Sequence, residues 1–275
     1  MAFSLRRRPG VAVVEIYGVI GTRVKDSTYS RLFESIARNK KYGALLLDID
    51  SPGGSATGSD LLYHSLKRVG ESKPVVAYVR GLGASGGYYL CCAASRVVAL
   101  PTALIGSIGV IHVRPILEQL LGKIGVEFSI LKEGRLKDMS GFWRHPTDEE
   151  STKFQGLLTE MYDTFVSVVA EGRNLEESRV RELATGELYT ARQGHEDGLV
   201  DELADFYRAV EIAAELGNAR PTPRWVRTRR PFSARILGRD SSNLDLLTGG
   251  ASRLLTGGIY FLDPSYLLGD YPNSQ

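Results

Sequence analysis

The stretch Gly81-Leu82-Gly83-Ala84-Ser85-Gly86-Gly87-Tyr88-Tyr89 constrains this chain more than any other. It follows a β-branched apolar run, Val75-Val76-Ala77-Tyr78-Val79, and opens a helix-like run from Tyr88 to Ala94. A small hydroxyl residue at a strand-to-helix turn, flanked by glycines, is the layout of a nucleophile. The glycines let the backbone approach a carbonyl closely and tolerate positive φ. The N–H groups after Ser85 would sit at a helix N-terminus, where negative charge is stabilised. A developing oxyanion is such a charge. The same residues also describe a plain βα turn with Ser85 as its N-cap, and this stretch alone leaves both readings open.

The rest of the chain repeats the strand-then-helix pattern. Val11 to Tyr17 reads as a strand ended by Gly18, and Ser27 or Thr28 can cap a helix reaching Asn39. Ala44 to Ile49 is a continuous apolar run, as expected of a parallel strand covered on both faces. It ends in Asp50-Ser51-Pro52-Gly53-Gly54-Ser55, and a helix is expected from Ala56 to Val69. Further on, Ile105-Gly106-Ser107-Ile108-Gly109-Val110 is another glycine-punctuated apolar run. Helices are expected at 116–121, 147–171, 173–183 and 203–216, and a short strand at 127–131. Alternation of this kind predicts an α/β fold built on a parallel sheet with right-handed crossovers.

Composition narrows the class. A chain of 275 residues, 43% hydrophobic and 24% charged, can bury a sizeable core as one domain with appendages. The net charge of +2 gives no global pull toward nucleic acid, and no nucleic-acid partner is expected. Cys91 and Cys92 are neighbours in an apolar run, so they read as buried thiols rather than a disulfide. Four scattered histidines and no spaced cysteine pair predict no metal site, and no cofactor is expected. No run of 18 apolar residues is present, so no membrane span is expected; the unpaired thiols suggest a reducing compartment, and a cytoplasmic protein, free or membrane-associated, is expected. Four segments follow: a basic lead-in (1–10), a core domain (11–217), a Pro/Arg-rich linker (218–243) and an apolar tail (244–275). The linker arginines read as a solvated run, with a peripheral membrane contact as the minority reading.

Three glycine turns would meet at the carboxyl edge of such a sheet: those at Gly53-Gly54, Ser85-Gly86-Gly87 and Gly106-Ser107. No Walker lysine follows any of them, so phosphate binding is not supported. A base is needed to activate Ser85. No histidine stands in a glycine turn, which leaves a desolvated lysine as the alternative to a Ser-His-Asp set.

Five motifs then occur in order. They are Asp50-Ser51-Pro52-Gly53-Gly54; Gly83-Ala84-Ser85-Gly86-Gly87-Tyr88-Tyr89; Ile105 to Val110; Lys132-x-Gly134-x-x-Lys137-Asp138; and Thr190-x-Arg192-Gln193 through Gly198-Leu199-Val200-Asp201. Together they closely resemble the signal peptide peptidase A family of serine proteases, in its short form, over residues 11 to 216. The resemblance implies a ClpP/crotonase-like fold and an ATP-independent endopeptidase with a Ser-Lys dyad, acting on hydrophobic peptides such as remnant signal peptides. By position, Ser85 resembles the nucleophile and Lys137 the general base. Ser107 resembles the hydroxyl that holds the lysine. Gly54 and Gly86 resemble the oxyanion-hole donors, with Gly53 shaping the first turn. Lys132 is the competing lysine. The resemblance also implies a homo-oligomer and a peptide partner. The competing functions are a crotonase-like acyl-CoA enzyme and an inactive membrane-organising scaffold.

The tail holds Leu246, Leu247, Leu254, Leu255, Ile259, Tyr260, Phe261 and Leu262 among others, too apolar for a solvated end. It is expected to dock in an apolar groove as an assembly strap or a pseudo-substrate near Ser85. Packing on its own subunit as an extra layer is the equal alternative.

Overall fold

A computed structural model describes residues 8–228 and 258–262. Its residues fall into two compact units. The first contains residues 8–109, 165–228 and 261–262, and the second residues 110–164 and 258–260.

Apolar runs dictate the first unit. β1 (Gly10–Tyr17), β2 (Tyr42–Ser51) and β4 (Val75–Ala84) lie side by side in parallel, with β3 (Gly53–Ser55) just after β2. The connections are α1 (Asp26–Arg38) and α2 (Ala56–Gly70). Ser55 caps α2 by accepting the Gly58 N–H at 3.2 Å, so a turn residue also starts the helix. After β4 come α3 (Gly86–Cys91), β5 (Arg96–Ala99) and β6 (Leu104–Gly106). The later elements are α6 (Glu177–Leu183), β8 (Leu188–Thr190), α7 (Ala191–Glu196), β9 (Glu202–Leu203), α8 (Phe206–Leu216) and β10 (Pro223–Trp225). The sheet runs β10-β1-β2-β4-β5-β9, with β6 continuing beside β4 and β8 antiparallel to β6.

Both alternating sets of β2, Ala44/Leu46 and Leu45/Leu47, are fully buried, as a doubly covered parallel strand requires. On one face, Val11, Val13, Leu46, Val76 and Val98 pack under Ala209, Val210 and Ala213 of α8. Leu46→Ala there would cost about 2–5 kcal/mol. One polar group interrupts this run. Asp48 is fully buried and accepts two bonds from Arg80, at 3.1 and 2.6 Å, and one from the Tyr17 hydroxyl at 2.7 Å. Burial and Asp48 together push the Tyr17 phenol up. Cys91 and Cys92 are buried thiols with no disulfide, and burial pushes Cys92 up to about 12. The His195 ring contacts the Val200 carbonyl at 3.0 Å, a structural role.

The second unit holds β7 (Ile111–Val113), α4 (Glu118–Lys123) and the first part of α5 (Asp148–Arg173). Its residues of β11 (Gly258–Leu262) pair antiparallel with β7, Tyr260 opposite Ile111. The strand expected at 127–131 is absent: the segment forms no strand. The alternation of Val126, Phe128 and Ile130 suits a pleated strand, but a strand also needs a neighbour's backbone, and these side chains are exposed instead. Among the described residues no helix is long and apolar enough to cross a membrane, and no His/Cys/Asp/Glu cluster suits a metal ion. Most of the expected linker (218–243) and tail (244–275) lies outside the described residues.

Candidate active site

Strand register brings the glycine turns together. Ser51 at the end of β2 lies opposite Gly83 of β4, and Ala84 lies opposite Gly106 of β6. The turns after β2, β4 and β6 are therefore neighbours at the carboxyl edge, spaced by strand pairing at about 4.8 Å.

Ser85 occupies the turn between β4 and α3. Its φ is 51° and its ψ −116°, a conformation that L-residues rarely adopt. Such a residue costs about 1–3 kcal/mol and persists only where its surroundings enforce it. Here the Ser85 N–H donates to the Gly106 carbonyl at 2.7 Å, and the Ser85 carbonyl accepts the Tyr89 N–H at 2.8 Å. Ser85 stands at the N-cap position of α3, yet its side chain makes no capping bond. The plain-cap reading of this serine is thus not realised. The residue is buried, at 1% exposure.

The glycines around it are sterically required. A methyl on Gly86 would lie 2.4 Å from Ser59 Oγ and 3.2 Å from the Gly53 Cα. A methyl on Gly53, where φ is +94°, would lie 2.6 Å from the Gly86 nitrogen. On Gly54 it would meet the Ile20 carbonyl oxygen at 2.1 Å. The Ile20 N–H donates to the Gly53 carbonyl at 2.8 Å, and the Ser55 N–H to the Ile20 carbonyl at 3.0 Å. By strand alternation, the Gly54 N–H faces away from Ile20. The turn is also braced from below: Ser51 Oγ donates to the Gly18 carbonyl and accepts the Gly53 N–H.

Ser107 directly follows Gly106, which pairs with Ala84 and whose carbonyl accepts the Ser85 N–H. Its φ of 49° is a second strained non-glycine. Its N–H donates to the Glu187 carbonyl at 2.7 Å, and the residue is 5% exposed. Ser85, Ser107, Gly53, Gly54 and Gly86 all belong to the first unit.

Lys137 belongs to the second unit, in a string of turns from Gly134 to Gly141. Its N–H donates to the Gly134 carbonyl at 3.0 Å, and its side chain is exposed. The two loop lysines differ. Lys132 Nζ is bonded to Asp138 and to the Arg135 carbonyl, whereas Lys137 Nζ has no partner among the described residues. Of the two, only Lys132 is tied to a carboxylate among the described residues.

Sequence reasoning missed an aromatic cradle. Phe261 of β11 is 3% exposed. Its ring stacks on Tyr89 at 5.2 Å and meets Phe165 at 4.9 Å, and Tyr63 meets Tyr89 at 5.3 Å. Its carbonyl oxygen lies 2.1 Å from where a Gly53 methyl would stand and 3.1 Å from a Gly86 methyl. Tyr63, Tyr89, Phe165 and Phe261 are scattered along the chain, and no local spacing announces them. The hydroxyls of Tyr88 and Tyr89 donate to the Leu199 carbonyl and to Asp60, each at 2.8 Å.

Known proteins resemble this chain over much of its length. Residues 67–220 match peptidase family S49. A putative protease of Synechocystis sp. is 37% identical over 242 residues, covering 87% of each chain. The chloroplastic serine protease SPPA of Arabidopsis thaliana is 32% identical over 90% of this chain and 36% of its own length. A putative signal peptide peptidase SppA of Enterococcus faecium is 32% identical over 70% of this chain and 59% of its own. The chain belongs to peptidase family S49, has that family's ClpP/crotonase-like fold, and is a peptidase.

Proposed function

We propose that this peptidase is an ATP-independent serine endopeptidase with a Ser85–Lys137 dyad. One observation carries the reading: Ser85 is held at φ 51° on a strand-to-helix turn, with its hydroxyl unspent on capping. In the proposed reaction Lys137 accepts the Ser85 proton and Ser85 Oγ attacks the peptide carbonyl. The N–H groups of Gly54 and Gly86 receive the oxyanion, and Ser107 orients the lysine amine. Lys137 then gives its proton to the leaving amine, and water releases the acyl group by the same route reversed.

The substrate proposed is an extended apolar peptide, such as a remnant signal peptide. The Phe261 contact supports this. An extended strand lies beside the Gly53 turn, with its carbonyl toward Gly53 and Gly86 and its ring in an apolar cradle. On this reading Phe261 and Leu262 occupy a substrate's place as part of a pseudo-substrate tail. A homo-oligomer and a peripheral membrane contact remain part of the proposal. Sedimentation as a monomer at micromolar concentration would contradict the oligomer.

Ser85→Ala tests the whole reading. It removes one oxygen from the turn, so the fold should persist while hydrolysis of a denatured protein falls at least about 1,000-fold. Undiminished hydrolysis by the pure variant would overturn it.

A further inference from the structure

Residues 132 to 150 contain a charge cluster that no step of the proposed reaction uses. At its centre is Asp138, the residue after Lys137. One Asp138 oxygen takes the Lys132 ammonium. The other takes Arg144, at 3.1 Å from Nη2. Arg144 also grips Glu150 through two bonds, Nη1 to Oε2 at 2.9 Å and Nη2 to Oε1 at 2.6 Å. Glu150 is 2% exposed and belongs to the first turn of α5. There it accepts the Thr147 N–H at 2.9 Å while Thr147 Oγ1 accepts the Glu150 N–H at 3.2 Å, a reciprocal cap of the helix start. Arg114 fastens the same loop from beside β7, donating to the Met139 and Gly141 carbonyls.

The loop has turns but no sheet or helix of its own between Gly134 and Gly141. Its position therefore depends on these side chains. Asp138 is the only one of its residues that joins Lys132 and the Arg144–Glu150 pair. Flanking charges are Glu133 and Arg135, and Arg135 pairs with Glu149.

We propose that Asp138 is a positioning residue: it fastens the lysine-bearing loop to the start of α5 through Arg144, and it occupies Lys132 so that Lys137 is left as the loop's one available amine. The inference rests on the proposed role of Lys137 as base. Its structural half stands without that role and is measured separately.

The test is limiting acetylation of the intact protein with an N-hydroxysuccinimide ester, followed by peptide mass spectrometry. In the wild type Lys137 should react several-fold faster than Lys132. Asp138→Asn should raise Lys132 labelling toward that of Lys137, and Glu150→Gln, which leaves Asp138 in place, should not. Circular dichroism checks that both variants are folded. In peptidase assays Asp138→Asn should lower kcat with little change in KM, and Asp138→Glu should recover part of the loss. Equal labelling of the two lysines in the wild type, or an unchanged ratio in folded Asp138→Asn, would overturn the proposal. Full activity of Lys137→Ala beside the expected labelling ratio would instead remove only the base assignment.

Discussion

The Ser85 turn and the Lys137 loop are built by opposite means. The turn is made of backbone. Register, two strained serines and glycines too crowded for a methyl fix it, and among the described residues no ion pair is involved. The loop is made of side-chain charge: Lys132, Asp138, Arg144 and Glu150 hold a segment without a ladder. A backbone-built site should be insensitive to salt and acid but intolerant of any added atom. A charge-built one should tolerate atoms and fail when its carboxylates are protonated.

Gly86→Ala is the sharpest way to break the first half of that contrast. Its methyl would overlap Ser59 Oγ, at the far end of a short side chain whose hydroxyl is already bonded to the Ser55 carbonyl. The expected outcome is near-total loss of peptidase activity with about 1–3 kcal/mol of destabilisation by denaturant titration. A variant with ordinary activity would show that the turn has slack.

Acid probes the second half. The Arg144 guanidinium holds the Glu150 carboxyl at about 2, down from 4.5. A depressed carboxyl stabilises the fold above its unfolded pKa, and that contribution is lost as pH falls from 4.5 toward 2. Thermal melts of wild type and Glu150→Gln should therefore differ at pH 6 and converge near pH 2. A constant difference across that range would mean that Glu150 acts through packing instead.

The smallest effect is expected at the cradle. Phe261→Ala removes the ring stacked on Tyr89 and should weaken the hold of its own backbone beside Gly53. If that segment stands in for substrate, KM for an apolar peptide should fall by a few-fold. An unchanged or raised KM would make Phe261 local packing alone.

The alignment of the turns in the candidate site could be read from the chain because its determinants are local. A strand run, a glycine turn and a helix start are contiguous, so the alignment of the Ser51, Ser85 and Ser107 turns follows from a parallel sheet. The strain at Ser107 left no such trace, since only the tertiary bond to Glu187 reveals it. Asp48 read as part of an apolar run because its partners, Tyr17 and Arg80, lie 31 and 32 residues away. The strand expected at 127–131 failed for the converse reason. Its pattern is local, but pairing is not.

Covalent labelling of Ser85 tests the central claim most directly. A fluorophosphonate should add once to the wild-type protein, on the peptide containing Ser85, and not at all to Ser85→Ala. Labelling of another residue, or equal labelling of the folded Ser85→Ala variant, would contradict the assignment of Ser85 as the nucleophile.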